Sequence, residues 1–467
     1  MPTTLPLSGT PTVLKTTTSR CPVCHAACQA RVVKELGRVF LERDCPEHGA
    51  FSACIASDAR FYWLAKGSDN GACCGGGACC DASGSAAGTL GRNAEGASGD
   101  QPFETLSTCL ALIEIVNSCN LACPTCYANS PIGAGSKVDA VPLAEIQQRI
   151  QGVIDRKGGI EILQLSGGEP SLHPDLLELS RWIKAHPKID FCLLNTNGVR
   201  LAKEPDFAAK LVEAFEGTGI QIYLQFDGLQ KAGQQALRGA DLRELKKKAI
   251  AHCAAAGLPI TLAMTVTPDN LPNLWETVAF GLSEETIHGI TFQPAFQSGR
   301  LPPLANGSSN TYQRQPSDRL NTGDILMNVV EQSAGGLRFE DFTPLPCGDP
   351  NCATIGYLIR QETNVWHVSD FIDFTKLQGF LHDKIHYTLE DLARCGCDNE
   401  PLGDLLKTLE ATRSMAFRIM VKPFMDAWTW DQDRIDRCCT HVIRPDGKLD
   451  SFCRYYSGFP DAAGSAS

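Results

Sequence analysis

The chain has 467 residues, enough for two or more packed domains, and its 43% hydrophobic and 20% charged residues are ordinary for a soluble globular protein. Forty-two basic against fifty-three acidic residues leave a formal charge of -11, which argues against a nucleic-acid partner held mainly by phosphate neutralisation while leaving room for a local basic pocket. The opening MPTTLPLSGTPTVLKTTTSR lacks the apolar core of a signal peptide, and the most apolar run, Ala249 to Val266, is interrupted by His252, Gly257 and Pro259 before it reaches the roughly 20 residues of a membrane span. A cytoplasmic protein with no transmembrane segment is expected, and in that compartment 22 cysteines point to metals or redox chemistry rather than to disulfides.

Residues 1–66 read as a metal-binding module. CPVC at Cys21–Cys24 and CPEH at Cys45–His48 flank the alternating segment ARVVKELGRVFLER, which predicts a two-stranded hairpin turning at Gly37. C-x2-C, twenty residues, then C-x2-H is the spacing of a zinc-ribbon or rubredoxin-like site, so Cys21, Cys24, Cys45 and His48 are expected to close a tetrahedron around zinc or a single iron. Residues 67–104 are a linker rich in Gly, Ala and Ser; its CCGGGACC string (Cys73, Cys74, Cys79, Cys80) reads equally as a further metal site or a thiol-rich loop.

From 105 to 297 apolar strands alternate with helices. LALIEIV, IEILQLS, DFCLLNT, IQIYLQF, PITLAMTV and GITFQPA are the strands, and PLAEIQQRIQGVIDR and LRELKKKAIAHCAAA show helical three-and-four spacing. Six such units predict an α/β fold, a partial (β/α)6 TIM-like barrel. Residues 298–323 are a polar loop, and 324–467 form a C-terminal domain with seven cysteines.

Cys119, Cys123 and Cys126 stand in NSCNLACPTCYA just after the first barrel strand, at the rim where barrel enzymes place their chemistry. A closed cubane takes four thiolates, so three on one short loop leave one iron open to a small molecule. The alternative is a structural zinc knuckle completed by a distant fourth ligand. Other polar groups gather at the same strand ends: Gly167, Gly168 and Glu169 in SGGEP; Asn195, Thr196, Asn197 and Gly198; Gln225 and Asp227 in QFDG; Thr265 and Thr267; and Gln293. Taken singly each is a turn or a helix cap. Together they form one face, on which Gln225 and Asp227 are expected to contact cofactor or substrate.

CX3CX2C after the first strand, followed by Tyr127, resembles the radical S-adenosylmethionine (SAM) superfamily. The resemblance implies a [4Fe-4S] cluster whose unique iron chelates the methionine part of SAM. Reductive cleavage of SAM then gives a 5′-deoxyadenosyl radical, with electrons from an external flavodoxin- or ferredoxin-type donor. It makes SGGEP the motif that holds the cofactor's amino group and places Tyr127, Asn195 and Asn197 in the same site. In the C-terminal region Cys347, Cys352, Cys439 and Cys453 are expected to hold an auxiliary [4Fe-4S] cluster, on the ground that the adjacent Cys438 and Cys439 do not both reach one cluster; Cys395 and Cys397 are further candidates. Cys28, Cys54, Cys109, Cys192 and Cys253 read as small apolar structural residues. The CPVC and CPEHG pair, DFTPLPCGDPNC, RCCTHVIRPDG and SFCRYY are similar to the branch containing tetraether lipid synthases and 7,8-dihydro-6-hydroxymethylpterin methyltransferases. That similarity implies C–H functionalisation, by carbon–carbon coupling or methylation, of a lipid acyl chain or a pterin. The competing class is a non-catalytic iron–sulfur electron-transfer or metal-binding protein.

Overall fold

The computed structural model describes residues 10–64, 108–133, 135–301, 319–345, 348–361, 364–370, 416–457 and 459. The 67–104 linker with Cys73, Cys74, Cys79 and Cys80, most of the 298–323 loop, and Cys347, Cys395 and Cys397 lie outside the described residues.

The N-terminal module is an antiparallel meander of β1 (Thr12–Arg20), β2 (Ala27–Glu35), β3 (Arg38–Cys45) and β4 (Gly49–Ala56). The expected hairpin is β2–β3: Glu35 pairs with Arg38 across a two-residue loop in which Leu36 (φ 47) and Gly37 (φ 77) both sit left-handed, the type I′ geometry that matches strand twist. Val32, Val39, Leu41 and Ala56 give this sheet only a small core of its own, and it docks on the C-terminal segment. Arg43, 2% exposed, donates from Nε to the Arg20 carbonyl (2.8 Å) and from Nη2 to the Ala427 carbonyl (3.1 Å), with its guanidinium 5.9 Å from both the Phe51 and Trp428 rings. Lys15 pairs with Asp433 at 2.7 Å, and Thr17 Oγ1 donates to Asp431 at 2.7 Å.

The six expected barrel strands are present as β5 (Leu110–Val116), β6 (Ile160–Gly167), β7 (Ile189–Thr196), β8 (Ile220–Gln225), β9 (Ile260–Val266) and β10 (Ile287–Pro294), all parallel and paired in sequence order. Beyond them come β11 (Phe342–Pro344), β12 (Thr354–Gln361), β13 (Asn364–His367), β14 (Ala416–Val421), β15 (Thr440–Ile443) and β16 (Leu449–Ser451). Among the described residues the sheet order is β11-β12-β14-β10-β9-β8-β7-β6-β5-β15-β16, with β13 beside β12.

The C-terminal region, expected as a separate domain, is therefore continuous with the barrel. An open six-stranded sheet leaves two rows of unpaired backbone groups. β14 satisfies one by pairing parallel to β10, and β15 satisfies the other by pairing parallel to β5. Across the seam between these two added strands Lys422 Nζ donates to Thr440 Oγ1 at 3.0 Å. No helix among the described residues is long and apolar enough to cross a membrane.

Arg43→Ala removes a charge-assisted hydrogen bond between module and barrel and is expected to lower stability by about 2–3 kcal/mol. Hydrogen exchange should speed up in β2 and β3 and leave β6–β9 unchanged. Unaltered exchange in the module would show that Arg43 does not hold it in place.

Candidate active site

The loop carrying Cys119, Cys123 and Cys126 leaves β5 and is pinned at two points. Cys119 exchanges backbone bonds with Pro131 (2.8 Å) and Gly133 (2.9 Å), and Cys126 exchanges two of 2.8 Å with Arg300. Arg300 Nε also donates to the Cys123 carbonyl at 2.9 Å. The thiols share a wall of one cavity, where burial pushes Cys119 up to about 12 and raises Cys123 as well. Buried thiols of this kind ionise on binding a metal, so the donor set fits an iron cluster.

SGGEP crosses directly beneath this loop. Gly168 N donates to the Val116 carbonyl (2.6 Å) and Glu169 N to the Ser118 carbonyl (3.0 Å). A Cβ on Gly167, whose φ is 116°, would stand 2.2 Å from the Val116 oxygen, and one on Gly168 would stand 2.1 Å from that of Ser118. Both glycines are thus required by the approach of the chain to itself before any ligand is considered.

The Glu169 carboxylate, 1% exposed, accepts from Ser171 N (3.0 Å), Thr196 Oγ1 (2.6 Å) and Asn197 N (2.8 Å). Asn197 serves both readings of its sequence position. Its Oδ1 accepts Val199 N (2.9 Å) as a cap does, and its Nδ2 donates to Asn120 Oδ1 (2.7 Å) and toward Cys119 Sγ (3.8 Å). Behind it the wholly buried Lys246 donates to the Asn197 carbonyl at 2.5 Å, and burial pulls its ammonium down to about 8. Asn195 donates to Ser166 Oγ, which also lies 3.1 Å from the Tyr127 hydroxyl. The Tyr127 ring packs edge-on against Tyr456 at 4.8 Å.

Asp227 differs from its expected role. Its carboxylate, 1% exposed, does not line the cavity; it holds Arg238 bidentately (2.6 and 2.9 Å) and accepts Thr265 N (3.0 Å). The group presented to the cavity is Arg238, whose positive charge opposes the upward push of burial on the Cys123 thiol; Gln225, with its amide oxygen turned toward the guanidinium, accepts Arg238 Nη1 at 2.9 Å. A left-handed Asp227 (φ 60) turns the carboxylate back toward the end of the helix Lys231–Arg238, a contact that spacing alone does not reveal. Thr267 belongs to a turn, its N donating to Asn270 Oδ1 (2.8 Å).

Below the rim lies a cavity of about 220 Å³ inside the barrel. Gln164, Gln221, Tyr223 and Gln293 set amides and a phenol among apolar side chains such as Leu112, Phe191 and Leu193. Gln221 Nε2 donates to Thr261 Oγ1 (3.0 Å) and Gln293 Nε2 to the Tyr223 hydroxyl (3.0 Å). None of these except Gln293 was singled out from the sequence, although Gln221, Tyr223 and Gln225 alternate along one strand and so share its inner face.

Two groups of cysteines stand elsewhere. In the N-terminal module the ligand atoms of Cys21, Cys24, Cys45 and His48 all lie within 4.8 Å of one another, with Cys24–Cys45 at 3.8 Å and Cys45–His48 at 3.6 Å. A tetrahedral zinc–thiolate site has edges of about 3.8 Å, so the four residues fit a single metal ion. In the C-terminal region the expected quartet is not the one assembled. Cys439 is disulfide-bonded, as is Cys109, which was expected to be a small apolar structural residue. Successive side chains entering a strand point to opposite sides, and here it is the buried Cys438 that shares an electrostatic neighbourhood with Cys352 and Cys453. Cys28, Cys54, Cys192 and Cys253 are free thiols, three of them buried and Cys54 partly so.

Asp227→Asn leaves the Arg238 charge buried without its counterion and should lower stability by about 3–5 kcal/mol. Denaturation of the anaerobically prepared protein, read beside its iron content, checks this. Unchanged stability would mean that Arg238 finds its counter-charge elsewhere.

Comparison with known proteins agrees with this geometry. Residues 13–57 match the model of the HMPTM N-terminal zinc ribbon domain, and residues 113–281 match that of the radical SAM superfamily. The 7,8-dihydro-6-hydroxymethylpterin dimethyltransferase of Methanocaldococcus jannaschii is 27% identical over 508 aligned residues, covering 94% of this chain and 93% of that protein. Mycofactocin maturase MftC of Mycobacterium ulcerans is 33% identical over 242 residues, 48% of this chain and 59% of its own. Among solved structures, Streptococcus suis SuiB superposes with a TM-score of 0.35 at 18% identity over 42% of this chain and 43% of that chain. With its three-cysteine loop, its GGE turn and its parallel barrel, the chain carries a radical SAM domain and is an enzyme of the radical SAM class.

Proposed function

We propose that this enzyme functionalises a C–H bond of a compact nitrogen heterocycle of the pterin kind, by methylation, with one SAM taking up the hydrogen atom as 5′-deoxyadenosine and methionine, a second SAM giving up its methyl group and leaving as S-adenosylhomocysteine, and two electrons per methyl group drawn from the external donor. The observation that carries the reading is the set of amides inside the barrel: Gln164, Gln221 and Gln293, with Tyr223, in a cavity of about 220 Å³. A pterin edge alternates donors and acceptors, which amide side chains match in both senses. An acyl chain would use none of the hydrogen-bonding capacity that these amides keep beside the Gln221–Thr261 and Gln293–Tyr223 bonds. The pterin dimethyltransferase that aligns along nearly the whole chain supports the same reading.

When bound, the cluster and SAM supply a primary carbon radical able to remove hydrogen from an unactivated carbon. In this reading Cys119, Cys123 and Cys126 hold the cluster. Glu169, with three of its roughly four acceptor sites taken, keeps one for the cofactor's ammonium, and Gly167 and Gly168 let the chain pass under it. Arg238, neutralised by Asp227, offsets the thiolate charge beside Cys123. Asn195, Asn197, Gln225 and Tyr127 line the cofactor's half of the cavity. Zinc occupies the N-terminal site, and Cys352, Cys438 and Cys453 take an auxiliary cluster, with Cys347 outside the described residues. A flavodoxin- or ferredoxin-type protein supplies the electron.

The test is anaerobic turnover with SAM, a one-electron reductant and 7,8-dihydro-6-hydroxymethylpterin. The pterin should stimulate 5′-deoxyadenosine formation and gain methyl groups by mass. Gln221→Leu should raise the pterin KM about tenfold, the value of one or two lost hydrogen bonds, and spare pterin-independent SAM cleavage. Abundant 5′-deoxyadenosine that the pterin neither stimulates nor intercepts would rule the substrate out.

A further inference from the structure

Arg418 on the inner face of β14 and Lys422 just past its end are two cations that the cofactor site does not use. Arg418 and Lys422 both line the cavity. Arg418 is half-buried and makes one side-chain hydrogen bond, from Nη2 to Gln221 Oε1 at 3.3 Å. Lys422 donates to Thr440 Oγ1. Among the described residues no carboxylate lies within ion-pair distance of either. Among the described residues the one acidic side chain on the cavity wall, Glu169, already accepts three hydrogen bonds at the rim. A half-buried guanidinium with a single neutral acceptor leaves most of its donors unused, in a chain whose net charge is -11. Its unused N–H groups form the planar fork that matches an oxyanion.

We propose that Arg418 anchors an anionic group on the substrate, a carboxylate or phosphate monoester attached to the ring, deep in the barrel. This rests on the pterin reading of the cavity and deepens it. The anion is not the carboxylate of SAM. Gln221, the partner of Arg418, lies four residues below Gln225 on β8, about 13 Å from the rim where Cys123 and Arg238 stand. A bicyclic ring is shorter than that depth, so with its anion on Arg418 it lies between the floor of the barrel and the rim, beside Gln221 and Gln164. Arg418 would thereby set how far the ring, and the C–H bonds beside its anionic substituent, stand from the rim.

Binding to the anaerobic holoenzyme is measured by quenching of pterin fluorescence, with pterin-6-carboxylate, 6-hydroxymethylpterin and its phosphate monoester as probes. Wild-type protein should bind at least one anionic probe about tenfold more tightly than the neutral one, the value of a charged hydrogen bond. Which of the two wins identifies the oxyanion. R418Q should erase the preference and leave the neutral Kd within about threefold, and R418K, which keeps charge and loses the fork, should fall between. Circular dichroism and iron content confirm that each variant folds. A parallel arm follows thermal stabilisation by inorganic phosphate, present in wild type and absent in R418Q. Equal affinity for all three pterins, or a preference that survives in R418Q, overturns the anchor and leaves the ring reading intact. Failure of every pterin to bind, with phosphate still stabilising only the wild type, overturns the ring and keeps the anchor. If phosphate stabilises both proteins or neither, and no pterin binds, both are overturned.

Discussion

The rim is organised around one buried carboxylate. Glu169 takes donors from its own turn and from the exit of β7, while its backbone and that of Gly168 donate to the exit of β5. Three neighbouring strand ends are thereby held at fixed separations by short charge-assisted bonds in a region water does not reach. Asn197 passes the constraint to the cysteine loop through Asn120, and Lys246 backs the same peptide from behind. Without Glu169 the glycine turn, the third strand end and the thiol loop would each have local alternatives.

Charge is sorted across the barrel by the same economy. Thiols crowded at low dielectric call for a nearby cation, yet a lone buried cation is itself unfavourable. The Asp227–Arg238 pair resolves this: Asp227 holds the guanidinium in place and Arg238 faces Cys123. On the opposite wall Arg418 and Lys422 have no such carboxylate among the described residues, so the cavity is basic on one side inside an acidic protein.

How much of this was legible in the sequence follows from the range of each interaction. The six barrel strands, the β2–β3 turn and both cysteine motifs are local in sequence, and periodicity and spacing mark them directly. Glu169, Asn195 and Asn197 were legible because strand ends of a parallel barrel share one face. Asp227 was assigned the wrong task because its partner is a helix end eleven residues on, and an acid facing a ligand looks the same in sequence as an acid facing an arginine. The choice of Cys439 over Cys438 turned on which of two neighbours points inward, which depends on where β15 begins. The C-terminal strands were missed because β14 and β15 are short and take their places from edges formed far earlier in the chain.

The seam between β14 and β15 divides the molecule by origin as well as by geometry. Strands β5 to β8 and their loops, a continuous stretch, carry the thiols, the glycine turn and the carboxylate. The wall facing them is donated by chain that follows residue 415. Change in the tail alone can therefore alter the cationic wall of Arg418 and Lys422 while the thiol loop, the glycine turn and the amides of β6, β8 and β10 stay in place.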